Sequence, residues 1–416
     1  MVNALTPKHL AEKRAGFHEL FFDLIFVYAI QKIAHVILTT QNGSISADLF
    51  FKYIVMSLFL WLMWSHQTFF TNRFGQVTFK DVSFMMFNMF IMVFLSNSLY
   101  PDFEKTFFPF FLCVAIMYLS IGLQYLLHIR TGLDYGDKRT CQAFASVAFV
   151  ISFLSFLSLV LPQSIHYIPG FLGVFIAATG LIPFQKYLVL SPVNMMHLVE
   201  RFSLLTIIIF GEVLVGLASS SFSIDHFSYI YIFQFMILIS LFGVYWIITE
   251  NYINHKLSSI GFRLSYTHLL INIALGVISL FGVYWIITEN YINHKLSSIG
   301  FRLSYTHLLI NIALGVINAA IVFSNNNKLN DLFEINMMYI SVLIFYIGLW
   351  LITPYFHNEL TNAKYISSSL GILVVSYIIS LIFKGHDQVM IISVSVATFC
   401  IMLIYFKNQR LRNKHE

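Results

Sequence analysis

Glu19, Asp23, Lys32 and His35 fall within FHELFFDLIFVYAIQKIAHVIL (residues 17–38), a stretch long and apolar enough to cross a bilayer. On an insertion scale, Asp or Lys near a helix centre costs about 2.5–3.5 kcal/mol, while each Leu, Ile, Phe or Val returns only about 0.3–0.6. Such a helix is tolerated when its charges face other protein or a wet cavity. That makes it the first candidate for handling a proton, a cation or a small solute. Glu19 and Asp23 are four residues apart and share a face, ~40° apart at 100° per residue. Two carboxylates at that spacing repel, so either one is protonated or a cation sits between them. Gln31 and His35 drift further round the helix. Asp23 and Lys32, nine apart, point in opposite directions and cannot neutralise each other, so each needs a partner on another helix.

A second set lies in MMHLVERFSLLTIIIFGEVLVGLA, which begins at Met195. His197, Glu200 and Arg201 stand at its entrance, and Glu212 lies deep, where an acid exposed to lipid is prohibitive. Arg201 and Glu212 are eleven apart and share one face, three turns apart. A third set, Trp64, His66, Thr68 and Arg73, closes the second apolar span. Arg73 and Arg201 are expected on one membrane side, level with Glu19 and Glu200. The first, second and seventh spans would then assemble an acidic–basic cluster there. Two roles fit it: an ion, proton or substrate site, or an ion-pair cluster that fixes helix packing.

The elements that hold these residues are transmembrane helices. The 416 residues are 58% hydrophobic and 10% charged, against about 25% charged in soluble domains. Apolar runs of the length a bilayer demands recur at about 17–38, 53–71, 81–99, 107–127, 142–161, 167–185, from 195, 228–249, 336–354, 366–383 and 388–406. The fold class is an all-α polytopic bundle. A basic cytoplasmic tail (1–16) precedes a single transmembrane domain (17–406, halves about 17–190 and 195–406), and a second basic cytoplasmic tail (407–416) follows. The first span is expected to be retained, since charge interrupts it and no small-residue cleavage site follows. Cys113, Cys141 and Cys400 share no spacing and form neither a disulfide framework nor a metal motif. Phosphate-loop, zinc-binding and serine-nucleophile signatures are absent. The expectation is a non-enzymatic protein with no cofactor and no metal, whose partners are the lipid bilayer and a proton, cation or small solute, with no nucleic acid.

The segment SLFGVYWIITENYINHKLSSIGFRLSYTHLLINIALGVI at 240–278 recurs residue for residue at 279–317. It holds the second half of one span, a loop and the first half of the next, so its duplication creates one fused span, about 269–289. With one copy the chain has about twelve native spans; with two it has thirteen hydrophobic segments. Twelve spans leave only Lys52, Lys105, Lys328 and Lys384 outside and keep both termini in the cytoplasm. Thirteen turn Lys364, Lys407, Arg410, Arg412 and Lys414 outward, so the positive-inside rule prefers twelve. The run Glu19-x-Phe21-x-x-Leu24, with Gln31 twelve after the Glu, parallels Glu200-x-Phe202-x-x-Leu205 with Glu212. This suggests a parallel 6+6 pseudo-repeat of the kind seen in transporters.

HELFFDLIFVYAIQKIAHVIL, WSHQTFFTNRF and HLVERFSLLTIIIFGEVLVGLA resemble, in that order, the bacterial low temperature requirement protein A family. The matching positions are Glu19, Phe21, Phe22, Asp23, Trp64, Thr68, Asn72, Arg73, His197, Glu200, Arg201, Phe202, Gly211 and Glu212, and the later H-L-L-x-x-x-A-L-G near His268 and His307 also looks familial. The resemblance implies a multi-pass protein of the bacterial inner membrane named for a growth phenotype in the cold. It implies no reaction. The duplicated unit departs from the family pattern.

Overall fold

A computed structural model describes residues 13–40, 43–99, 102–129, 132–221, 228–251, 297–325, 329–352 and 363–412. The described elements are helices α1 (Phe17–Val36), α2 (Ala47–Arg73), α3 (Phe79–Asn97), α4 (Phe103–His128), α5 (Tyr135–Val160) and α6 (Tyr167–Thr179), then a 3₁₀ turn (Ile182–Phe184) and α7 (Gln185–Leu188). After these come α8 (Met195–Ser221), α9 (Ile230–Asn251), α10 (Ser297–Ser324), α11 (Asp331–Ile352), α12 (Ala363–Ile382) and α13 (Asp387–Arg412). Among the described residues, 11 helical segments are long and apolar enough to cross a membrane, Tyr167–Leu188 counting as one. α1, of 20 residues, has comparable length but carries Glu19, Asp23 and Lys32. The chain is therefore a polytopic helical membrane protein.

Several helix starts are set by local chemistry. Ser46 Oγ accepts from Leu49 N at 3.3 Å and Thr78 Oγ1 from Asp81 N at 3.2 Å, each satisfying an amide that the first turn would otherwise leave unpaired. α2 starts earlier and α5 earlier still than the apolar runs alone suggest, because polar first turns extend both helices beyond their greasy segments. The sixth span, expected to run unbroken over 167–185, is interrupted. Pro183 lacks the amide that would continue the ladder, so the chain passes through a 3₁₀ turn before the short α7.

α1 packs against α2, α3, α8 and α10, while α2 also reaches α4, α6, α8 and α10. This places α1, α2 and α8 around one seam, with α10 closing it. Gly315 on α10 has no room for a Cβ because the Tyr53 hydroxyl occupies that space; the hydroxyl donates to Ile312 O at 3.0 Å, tying α2 to α10. α9 takes 240–251 from the first copy of the repeated unit and α10 takes 297–317 from the second. The fused span expected at about 269–289 lies outside the described residues.

Candidate functional site: a buried charge cluster between α1, α2 and α8

Arg201, near the start of α8, is fully buried, as are Asp23 and His197, and Glu19 is only 2% exposed. Such a cation survives in a helical bundle only if its donors are met. Arg201 Nε donates to Asp23 Oδ2 at 3.0 Å and Nη2 to Asp23 Oδ1 at 2.6 Å, a two-pronged pair. Nη1 lies 3.3 Å from Glu19 Oε1, a charge contact without a hydrogen bond. The guanidinium is thus the cation that the i, i+4 carboxylates require: its planar fork hydrogen-bonds Asp23, and its charge also faces Glu19. Trp64 on α2 adds a third donor to Asp23, Nε1 to Oδ1 at 2.7 Å. Its ring, 5.8 Å from the guanidinium carbon, is braced by Trp61 and Phe202 at centroid distances of 5.2 and 5.0 Å. Phe202 in turn stacks on His307 of α10, and Trp61 Nε1 donates to Ser304 Oγ at 2.9 Å.

Glu19 has its own second partner. His197 Nε2 lies 2.9 Å from Glu19 Oε2, and the backbone N–H of Gly16 donates to the same oxygen at 2.9 Å. The His197 tautomer follows from its other side. Asn72 Oδ1 accepts from Asn194 N at 2.9 Å, and Asn72 Nδ2 donates to Asn194 O at 2.8 Å. A backbone amide and a backbone carbonyl thus fix which end of the Asn72 amide is which. Its Nδ2 then faces His197 Nδ1 at 3.0 Å, so Nδ1 accepts and the ring proton sits on Nε2, aimed at Glu19. Asn194 Oδ1 also receives the His197 amide at 3.2 Å, capping α8.

Charges around the cluster do not balance. Lys13, just before α1, donates to Gly75 O at 2.9 Å and to Thr71 O at the end of α2. Burial draws its amine below the usual lysine range, against the opposing pull of Glu19. Glu200 is half-buried and accepts from the Ala15 amide at 3.0 Å. With His197 Nδ1 accepting from Asn72, the buried carboxylates of Glu19 and Asp23 face one buried guanidinium, that of Arg201. One negative charge is in excess.

The other candidate residues lie elsewhere. Arg73 does not join the cluster: it turns to the opposite face of α2, where Nε donates to Ser191 O at 3.0 Å and the guanidinium sits over Phe69 and Phe144. Thr68 is buried on the cluster side, one turn from Trp64 and one from Asn72, and its hydroxyl has no hydrogen-bond partner among the described residues. His66 faces α4 instead, 3.2 Å from the Tyr118 hydroxyl. Lys32 lies 5.4 Å from the Tyr28 ring centre. Gln31 and Glu212 are half-buried, remote along their helices from the Arg201 pair, and the side chain of His35 lies outside the described residues. Asn72, Asn194 and Ser304 were not among the expected site residues, although Thr68 and Asn72 stand one and two turns after Trp64, a spacing that places all three toward one side of α2. A buried amide ladder, Asn88 Nδ2 to Gln67 Oε1 and Gln67 Nε2 to Gln124 Oε1, both 3.0 Å, joins α3, α2 and α4 beside it.

Fold and cluster together define a multi-pass membrane protein whose first, second and eighth helices close around a buried arginine. The chain belongs to the bacterial low temperature requirement A family (LtrA), which it matches over residues 14–279. That match takes in the α1, α2 and α8 segments that build the cluster and ends one residue into the second copy of the repeated unit. No curated protein and no solved structure matches the chain.

Proposed function

We propose that this protein is a transporter or channel-like protein of the bacterial inner membrane, with both termini cytoplasmic, that moves a proton, a cation or a small solute by means of the α1 carboxylates. The excess negative charge of the sealed cluster carries this reading. A buried site with one unmet negative charge gains from taking up one proton or one monovalent cation. A proton arriving on Asp23 or Glu19 would cancel one of the charges that hold Arg201. α8 is then freer to shift against α1 and α2, the kind of local charge change that biases a two-state packing. Glu212, further along α8, supplies a second carboxylate on the Arg201 face.

A second reading is a non-transporting sensor, scaffold or assembly factor in which the charges hold helices together. The saturation of Asp23 favours it, since three donors from α2 and α8 already occupy its two oxygens. Proton and monovalent-cation flux into liposomes separates the two. Transport predicts flux in the wild type that Asp23→Asn and Glu212→Gln abolish while the variants still fold. Loss of folding without any wild-type flux supports the scaffold.

A further inference from the structure

Arg73 presents the opposite case to Arg201. Its Nη1 and Nη2 are sealed from solvent and make no hydrogen bond among the described residues, and no described carboxylate lies within ion-pair distance. The hydroxyl of Tyr125 on α4, a residue that is 0% exposed, is likewise buried without a partner. Both groups adjoin the Phe144 ring. The Arg73 guanidinium carbon is 5.5 Å from the Phe144 ring centre, and Tyr125 stacks on the same ring at 4.8 Å and 11°. Arg73 is within electrostatic reach of Tyr125, the buried Cys141 and Asp137 on the first turn of α5, none of which hydrogen-bonds its Nη atoms. Phe69 and Phe70 complete an apolar surround.

Two nitrogens that only donate and a hydroxyl that can donate therefore stand near one ring with no acceptor supplied. A buried guanidinium stays charged because it is too basic to lose its proton, and cation–π contact offsets only part of its lost hydration. What meets both the donors and the charge is an anion, and the close aromatic walls select a small one. We infer that Arg73 and Tyr125 form a binding site for a small inorganic monoanion of the chloride class, between α2, α4 and α5. The site is separate from the α1 carboxylates, and Ser191 O holds the guanidinium in place through Nε.

The test is thermal unfolding of the detergent-solubilised protein, titrated with chloride against gluconate at constant ionic strength. A saturable rise in melting temperature with chloride is expected. Arg73→Gln should remove it. Tyr125→Phe, which deletes only the unpartnered oxygen, should raise the half-saturating chloride concentration roughly tenfold, as loss of one hydrogen bond to a charged partner implies. A wild type that is indifferent to chloride, or a response that Tyr125→Phe and Arg73→Gln leave unchanged, overturns the site. If Arg73→Gln fails to fold, the Tyr125→Phe titration decides alone.

Discussion

Arg201 and Arg73 sit near the same end of the bundle: one stands near the start of α8, the other closes α2, and both are buried at their charged ends. They differ in company. Arg201 is enclosed by two carboxylates, and its neighbour Trp64 shares one of them. Arg73 has one backbone carbonyl and two aromatic rings. A buried arginine is thus either the centre of a compensated network that joins helices or an uncompensated charge awaiting a ligand, and sequence type alone does not say which.

The largest expected effect follows from removing the compensated one. Arg201→Met leaves Asp23 and Glu19 buried and unmatched, and should cost about 3–5 kcal/mol in a reversible unfolding assay. Arg73→Met in chloride-free buffer should be neutral or stabilising, because it deletes a charge with no counter-ion. Equal losses in the two variants would erase the contrast between the sites. Next in size, Asp23→Asn keeps the shape but weakens charge-assisted bonds to Arg201 and Trp64, for a loss of about 1.5–3 kcal/mol. Asn72→Ala should cost about 1–2 kcal/mol through its lost bonds to Asn194. It should also free the His197 tautomer, read as a change in the imidazole nitrogen NMR signals from one protonated at Nε2 to a mixture. Unchanged signals would mean that Asn72 does not set the proton.

The smallest effect concerns Lys13. Burial places its folded-state value below the ordinary 10.5, so the folded protein binds fewer protons than the unfolded chain between those two values. Stability contributed by this group therefore rises with pH across that window and is reduced below it. Lys13→Met should flatten the difference in melting temperature between the alkaline end and neutral pH. An unchanged slope would remove Lys13 from the account.

Much of the cluster was legible before the fold. Insertion cost alone singles out α1, and the i, i+4 spacing of Glu19 and Asp23 calls for a cation, which Arg201 supplies from a helix predicted to lie on the same side. Arg73 could have been excluded by arithmetic already applied to Asp23 and Lys32, since it lies nine residues from Trp64 and so faces away from it. The roles of Asn72 and Asn194 were not legible. They depend on a backbone amide and carbonyl in the α7–α8 connection, whose position is set by the break at Pro183 and by tertiary packing. The repeated unit was visible as identity in the sequence, but which portions of its two copies would build α9 and α10 was not.

The central claim is that Asp23 and Arg201 form the joint between α1 and α8. A double-mutant cycle on unfolding free energy, with Asp23→Asn and Arg201→Met singly and together, tests it most directly. The pair should be strongly non-additive, with an interaction energy of at least about 2 kcal/mol; losses that add to within about 0.5 kcal/mol would contradict it.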